Sequence, residues 1–179
     1  MKGNSFFYEL SRLNKYLSKF CNETPRACSV LGCAYLDNLL NEILKARLVE
    51  DKHLFKDYID RLTFDRRIGL CYLVGIIDRD TKKDLKTINK IRGEFAHNID
   101  LDNFNQKSGR LDIPVELDTL HHIQKEKKGG GSFANPQEKY IITVAFYMGV
   151  LDALLRACTR INRENIIAQF KKQFYRPFL

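Results

Sequence analysis

Apolar residues along this chain recur three and four positions apart almost from end to end, the spacing that gathers one face of an α-helix. Phe6, Leu10, Leu13, Leu17 and Phe20 mark a first stripe. Thr24 and Pro25 then read as a helix cap and a proline suited to a first turn. They open "RACSVLGCAYLDNLLNEILKARLV", where Val30, Cys33, Leu36, Leu40, Ile43 and Leu44 predict a wide buried face. A short segment over residues 54–59 leads to "TFDRRIGLCYLVGII", with Thr63 as its cap and Phe64, Ile68, Cys71 and Gly75 in register. "DTKKDLKTINKIRGEFAH" follows and carries Leu85, Ile88, Ile91 and Phe95.

The pattern lapses over residues 101–135. "NQKSGRLDIPVELD" holds a turn and a proline, and "KEKKGGGS" has the composition of a flexible tether. Helix resumes at "NPQEKYIITVAFYMGVLDALLRAC". Asn135 caps it, Pro136 fits the first turn, and Glu138 sits where a capping-box acid reaches back. Its stripe is Ile141, Val144, Ala145, Met148, Leu151, Leu155 and Cys158, and a last helix holds Ile166, Ile167, Phe170 and Phe174. No segment has strand period, and no internal repeat is present. The expectation is an all-α bundle of six to seven helices, one domain over residues 1–179, with one long loop at 101–135.

Composition adds that the chain is globular: 44% hydrophobic and 29% charged over 179 residues. No run approaches the roughly 18–20 apolar residues of a membrane span. "MKGNSFFYELSRL" turns to charge too early for a signal peptide. Five cysteines (Cys21, Cys28, Cys33, Cys71, Cys158) form no Cys-x-x-Cys pair, which predicts a reducing cytoplasm without a disulfide framework.

Charge narrows the class of partner. The net charge is +8, and residues 156–179, expected as a basic C-terminal helix, hold Arg156, Arg160, Arg163, Lys171, Lys172 and Arg176 against Glu164 alone. Such a concentration points to a polyanion, RNA or DNA before membrane. It is also what a solvated helix face looks like when cations complement a C-terminal dipole.

Familiar chemical motifs are mostly excluded. Lys127 and Lys128 precede the glycines of "GGGS", whereas a phosphate-binding loop needs its lysine after them. Cys28 and Cys33 with His121 and His122 have no usual zinc-ligand spacing. Neither a metal nor a cofactor is expected. What remains is "KIRGEFAH", with Arg92 five positions before His97 at the end of a basic helix. Lys83, Lys86, Lys90 and His97 share one face of that helix, while Arg92 leans toward the apolar side, about 140° from His97. The two converge only if the chain leaves helical geometry near Ala96 or if two subunits contribute. The other reading is structural: Arg92 pairs with an acid such as Asp37, and His97 interacts with the helix dipole.

"TPRACSVLGCAYLDNLLNEILKARLVEDKHLF" and "DRRIGLCYLVGIIDRDTKKDLKTINKIRGEFAH" resemble the mannitol operon repressor (MltR) family over residues 24–104, and more weakly through the C-terminal helices. "AYLDNLL", "GLCYLVGIID" and "KIRGEFAH" carry the resemblance. That family is similar in turn to the HEPN group of helical domains, many of them metal-independent ribonucleases in toxin–antitoxin, phage-defence and RNA-processing systems. The resemblance implies a HEPN-like bundle that dimerises and an Arg-x4-His motif at Arg92 and His97. Where that group has a polar residue after the arginine, often Asn, this chain has Gly93, with Glu94 next as the ionisable substitute. In such a site RNA supplies the 2′-hydroxyl nucleophile, His97 moves protons, and Arg92 stabilises charge on the phosphate. Lys86, Lys90, Arg156, Arg160, Arg163, Lys171 and Lys172 are the expected nucleic-acid contacts. An antitoxin or a larger defence or regulatory complex is the implied partner. The alternative is an MltR-like transcriptional regulator, or a helical interaction module, without catalysis.

Overall fold

Most of the helices open on a short polar side chain that closes the first turn. The computed structural model describes residues 18, 20, 22–48, 51–108, 111–130, 133 and 135–159. Thr24 accepts from the Ala27 amide and starts α1 (Pro25–Arg47). Asp51 accepts from the His53 and Leu54 amides and starts α2 (Lys52–Leu54), which widens into a π-helical turn over Phe55–Ile59. Thr63 opens α3 (Phe64–Leu73) and Asp78 opens α4 (Arg79–His97). Between them Gly75 takes φ +71°, a left-handed conformation that a side chain would disfavour. Asn135 accepts from the Glu138 amide at 2.9 Å and starts α7 (Pro136–Thr159).

Residues 101–135 correct the expectation of a loop. They contain a two-residue antiparallel hairpin, β1 (Lys107–Ser108) with β2 (Leu111–Asp112), in the register Lys107 to Asp112 and Ser108 to Leu111. Two short helices follow, α5 (Ile113–Thr119) and α6 (His121–Lys128). With about two turns each, they are too short to display a helical stripe. The hairpin, the two helices and the link between them still bury Leu111, Ile113, Leu117, Leu120 and Ile123 in the main core. The predicted tether begins as the end of α6 and a turn at Gly130, φ +87°. Its Gly131 and Ser132 lie outside the described residues, as do the first stripe apart from Phe20 and the expected C-terminal helix beyond residue 159.

The described residues thus form an all-α bundle of seven α-helices with α1 at its centre, packed on α7, α4 and α3. Leu36, Leu40, Ile43 and Leu44 of α1 join Leu85, Ile88, Ile91 and Phe95 of α4 and Val144, Met148 and Leu151 of α7 in one core. Helices α1 and α7 approach closely at Gly32, where a Cβ would lie 3.1 Å from a Val144 methyl. Val30 departs from expectation. It is 40% exposed, because Ser29 and Gly32 take the buried face instead and Tyr140 donates its hydroxyl hydrogen to the Ser29 carbonyl. Phe104 stacks between Phe95 and Tyr140, at 4.7 and 4.8 Å, and ties the chain after α4 to the bundle.

The stretch Pro136–Cys158 is long and apolar enough to cross a membrane, contrary to the expectation that no run approaches that length. Its apolar side, including Tyr140, Val144, Met148 and Leu151, is buried against α1 and the rest of the core. Cys28, Cys33, Cys71 and Cys158 are buried free thiols; Cys21 is outside the described residues.

Candidate functional site

Helix α4 carries the candidate site, and its sequence dictates how each side chain leaves it. Leu85, Ile88, Ile91 and Phe95 are fully buried. That anchors the helix and sends Lys83, Lys86, Lys90 and His97 to solvent. Helical geometry persists through His97, with Asn98 as C-cap and its amide bonded to the Glu94 carbonyl. The chain does not leave the helix at Ala96. Arg92 and His97 therefore remain about 140° apart around the axis and about 7.5 Å apart along it. One chain does not bring the pair together.

Arg92 is half-buried, and its Nε is enclosed without a hydrogen-bond partner. Its surroundings are Cys33 of α1 and Tyr140 of α7. Burial pushes the Cys33 thiol up to about 12 and the Tyr140 phenol well above its ordinary range, while the nearby Arg92 charge pulls both the other way. The expected partner, Asp37, belongs to another arginine. Arg67 of α3 is almost wholly buried, pairs through Nη1 with Asp37, and donates to the Ile59 carbonyl at 3.2 Å. No carboxylate among the described residues pairs with Arg92.

The His97 side chain is exposed and makes no hydrogen bond or ion pair among the described residues. Glu94 is half-buried and accepts a hydrogen bond from the Ser108 hydroxyl, which fastens α4 to the hairpin. Lys86 and Lys90 are not free cations. Lys86 pairs with Asp65 at 3.1 Å, and Lys90 pairs with Glu116 of α5 at 2.6 Å. Arg156 pairs with Asp152 at 3.0 Å. Arg160, Arg163, Lys171 and Lys172 lie outside the described residues.

One residue at this site went unread in the sequence. Arg26 donates its Nη1 to the Phe95 carbonyl, and its Nη2 lies 2.9, 3.1 and 3.2 Å from the Asn98, Ile99 and Leu101 carbonyls. The available signal was electrostatic. A cation in the first turn of α1 opposes that helix's own dipole and so implies an acceptor elsewhere.

A second polar centre lies at the other end of α4. The Asp84 carboxylate, 2% exposed, accepts from the His121 amide at 2.8 Å, the His122 amide at 3.1 Å and the Tyr147 hydroxyl at 2.7 Å. It caps α6 from outside that helix, a structural task. His121 reaches Asp80 at 3.1 Å, and His122 stacks on Phe146 at 4.0 Å. Among the described residues no three His, Cys, Asp or Glu side chains gather as a metal-binding set. Compared with protein-family models, curated proteins and solved structures, the chain matches none.

Proposed function

We propose that this chain is a dimeric, metal-independent endoribonuclease of the HEPN type, acting as a toxin or defence effector, with Arg92 and His97 as its catalytic pair. The Arg92 guanidinium carries the reading: it is half-buried, and among the described residues its Nε has no partner and no carboxylate is placed to neutralise it. A cation in such surroundings is stabilised by an anion from outside. A phosphodiester presents oxygens that match a guanidinium fork. The exposed His97 on the other side of the same helix is the proton-transfer group. Their divergence within one chain is why a second copy belongs to the proposal.

In this reading the substrate 2′-hydroxyl attacks the adjacent phosphorus. The P–O2′ bond forms and the P–O5′ bond breaks, leaving a 2′,3′-cyclic phosphate and a 5′-hydroxyl. His97 takes the 2′-hydroxyl proton, the other copy's His97 protonates the leaving oxygen, and Arg92 meets the charge on the phosphoryl oxygens. The test is purified protein with total RNA, wild type beside His97→Ala and Arg92→Ala, with and without EDTA. Wild type should cleave in EDTA, both variants should not, and light scattering should give twice 20.9 kDa. Activity surviving His97→Ala, activity lost only to chelator, or a strict monomer would sink the assignment.

The second reading, an MltR-like regulator or interaction module, is favoured by the engagement of Lys86 and Lys90 with Asp65 and Glu116, which leaves less free charge beside the pair. Absence of cleavage by wild type selects it.

A further inference from the structure

We infer that Arg26 is the positioning residue for His97, an inference that rests on the nuclease reading for its catalytic consequence. Helix C-termini leave their last carbonyls unpaired, and the backbone beyond them frays unless something holds it. Here one guanidinium holds carbonyls on both sides of His97: Phe95 before it, and Asn98, Ile99 and Leu101 after it. The His97 side chain is exposed and makes no hydrogen bond or ion pair among the described residues, so its placement depends on the backbone that carries it. Directly after His97 the chain is exposed, with Ile99 at 89%, before Leu101 returns it to the core. Besides Arg26, this turn is held by the Asn98 amide on the Glu94 carbonyl at 2.9 Å, the Asp100 amide on the Asn98 side chain at 3.1 Å and the Leu101 amide on the Asn98 carbonyl at 3.3 Å.

Charge supports the geometry. The first turn of α1 contains no acid, and Arg26 sits there against its own helix dipole. The same cation lies at the negative end of α4, where it is stabilised. A planar fork can span several carbonyls, and a lysine ammonium cannot cover the same set. Replacing Arg26 should therefore free the turn that presents His97 while leaving Arg92, one turn further back, in place.

The test compares Arg26→Gln and Arg26→Lys with wild type by RNA cleavage kinetics, thermal melts and histidine-labelled NMR. Arg26→Gln should lower kcat about 100-fold, as a misplaced catalytic group does, with KM little changed. Arg26→Lys should recover part of the rate. The His97 resonance should shift and sharpen toward a mobile side chain in Arg26→Gln, while that of His53, on α2, stays where it is. If Arg26→Gln does not fold, the partial loss of kcat and the His97 shift in Arg26→Lys decide the matter. Unchanged kcat with an unchanged His97 resonance would overturn the inference. If wild type cleaves no RNA, the nuclease reading falls by itself, and the NMR arm still tells whether Arg26 holds His97.

Discussion

Arg67 and Arg92 both lie beside α1, yet among the described residues only Arg67 meets a carboxylate. The contrast sets opposite expectations for two single changes. Asp37→Ala leaves the nearly buried Arg67 charge without its counter-ion and should cost about 3 kcal/mol. Arg92→Met removes a half-buried charge with no acid to abandon, and should stay within about 1 kcal/mol of wild type or exceed it. Thermal melts separate the two by several degrees for a chain of this length. A large loss in Arg92→Met would mean that Arg92 has an anionic partner within the chain, and the case for an outside phosphate would fail.

At the scale of elements, Gly93 stands in the interior of α4 with open space where a Cβ would be. Among the described residues nothing lies within 4 Å of that position. Gly93→Ala should therefore raise stability by up to about 1 kcal/mol, since it removes only backbone freedom. Denaturant titration reads that gain. If a second copy packs on this face, the same variant should shift light scattering toward the monomer. The sequence showed α1, α3, α4 and α7 because each has a full apolar stripe, and α1, α3 and α7 also showed caps at Thr24, Thr63 and Asn135. It hid α5, whose signal was only Asp112 before Pro114, capping through the Val115 amide at 3.3 Å. It hid α6 more completely, because Leu120 precedes it and no local side chain caps it. At the site the 140° divergence was legible from periodicity alone. The partners of Arg67, Lys90 and Arg26 were not, because those contacts join positions 30, 26 and roughly 70 residues apart.

Across the whole molecule, Asp118 joins three helices. Its carboxylate on α5 meets Lys139 of α7 at 2.6 Å and Lys127 of α6 at 2.9 Å. These two lysines, Lys139 first, hold the carboxyl below its ordinary value of 3.8. A carboxyl depressed by folding contributes stability above its unfolded pKa and loses that contribution as pH falls through the folded one. Asp118→Asn should therefore melt below wild type at neutral pH, and the gap should close below about pH 4. Both curves need measuring from pH 7 to pH 3. A gap that does not vary with pH would show that Asp118 acts through shape alone.

The cap on α6 lies 37 positions upstream, in the Asp84 carboxylate of α4, which Tyr147 of α7 also grips. A two-turn helix that borrows its first acceptor in this way is weak by itself. Excised as a peptide, residues 113–128 leave that acceptor behind, together with the apolar wall that Ile123 packs on. The start of α6 is thus a tertiary contact rather than a local one, and the peptide should show less helix by circular dichroism than the same residues hold in the bundle.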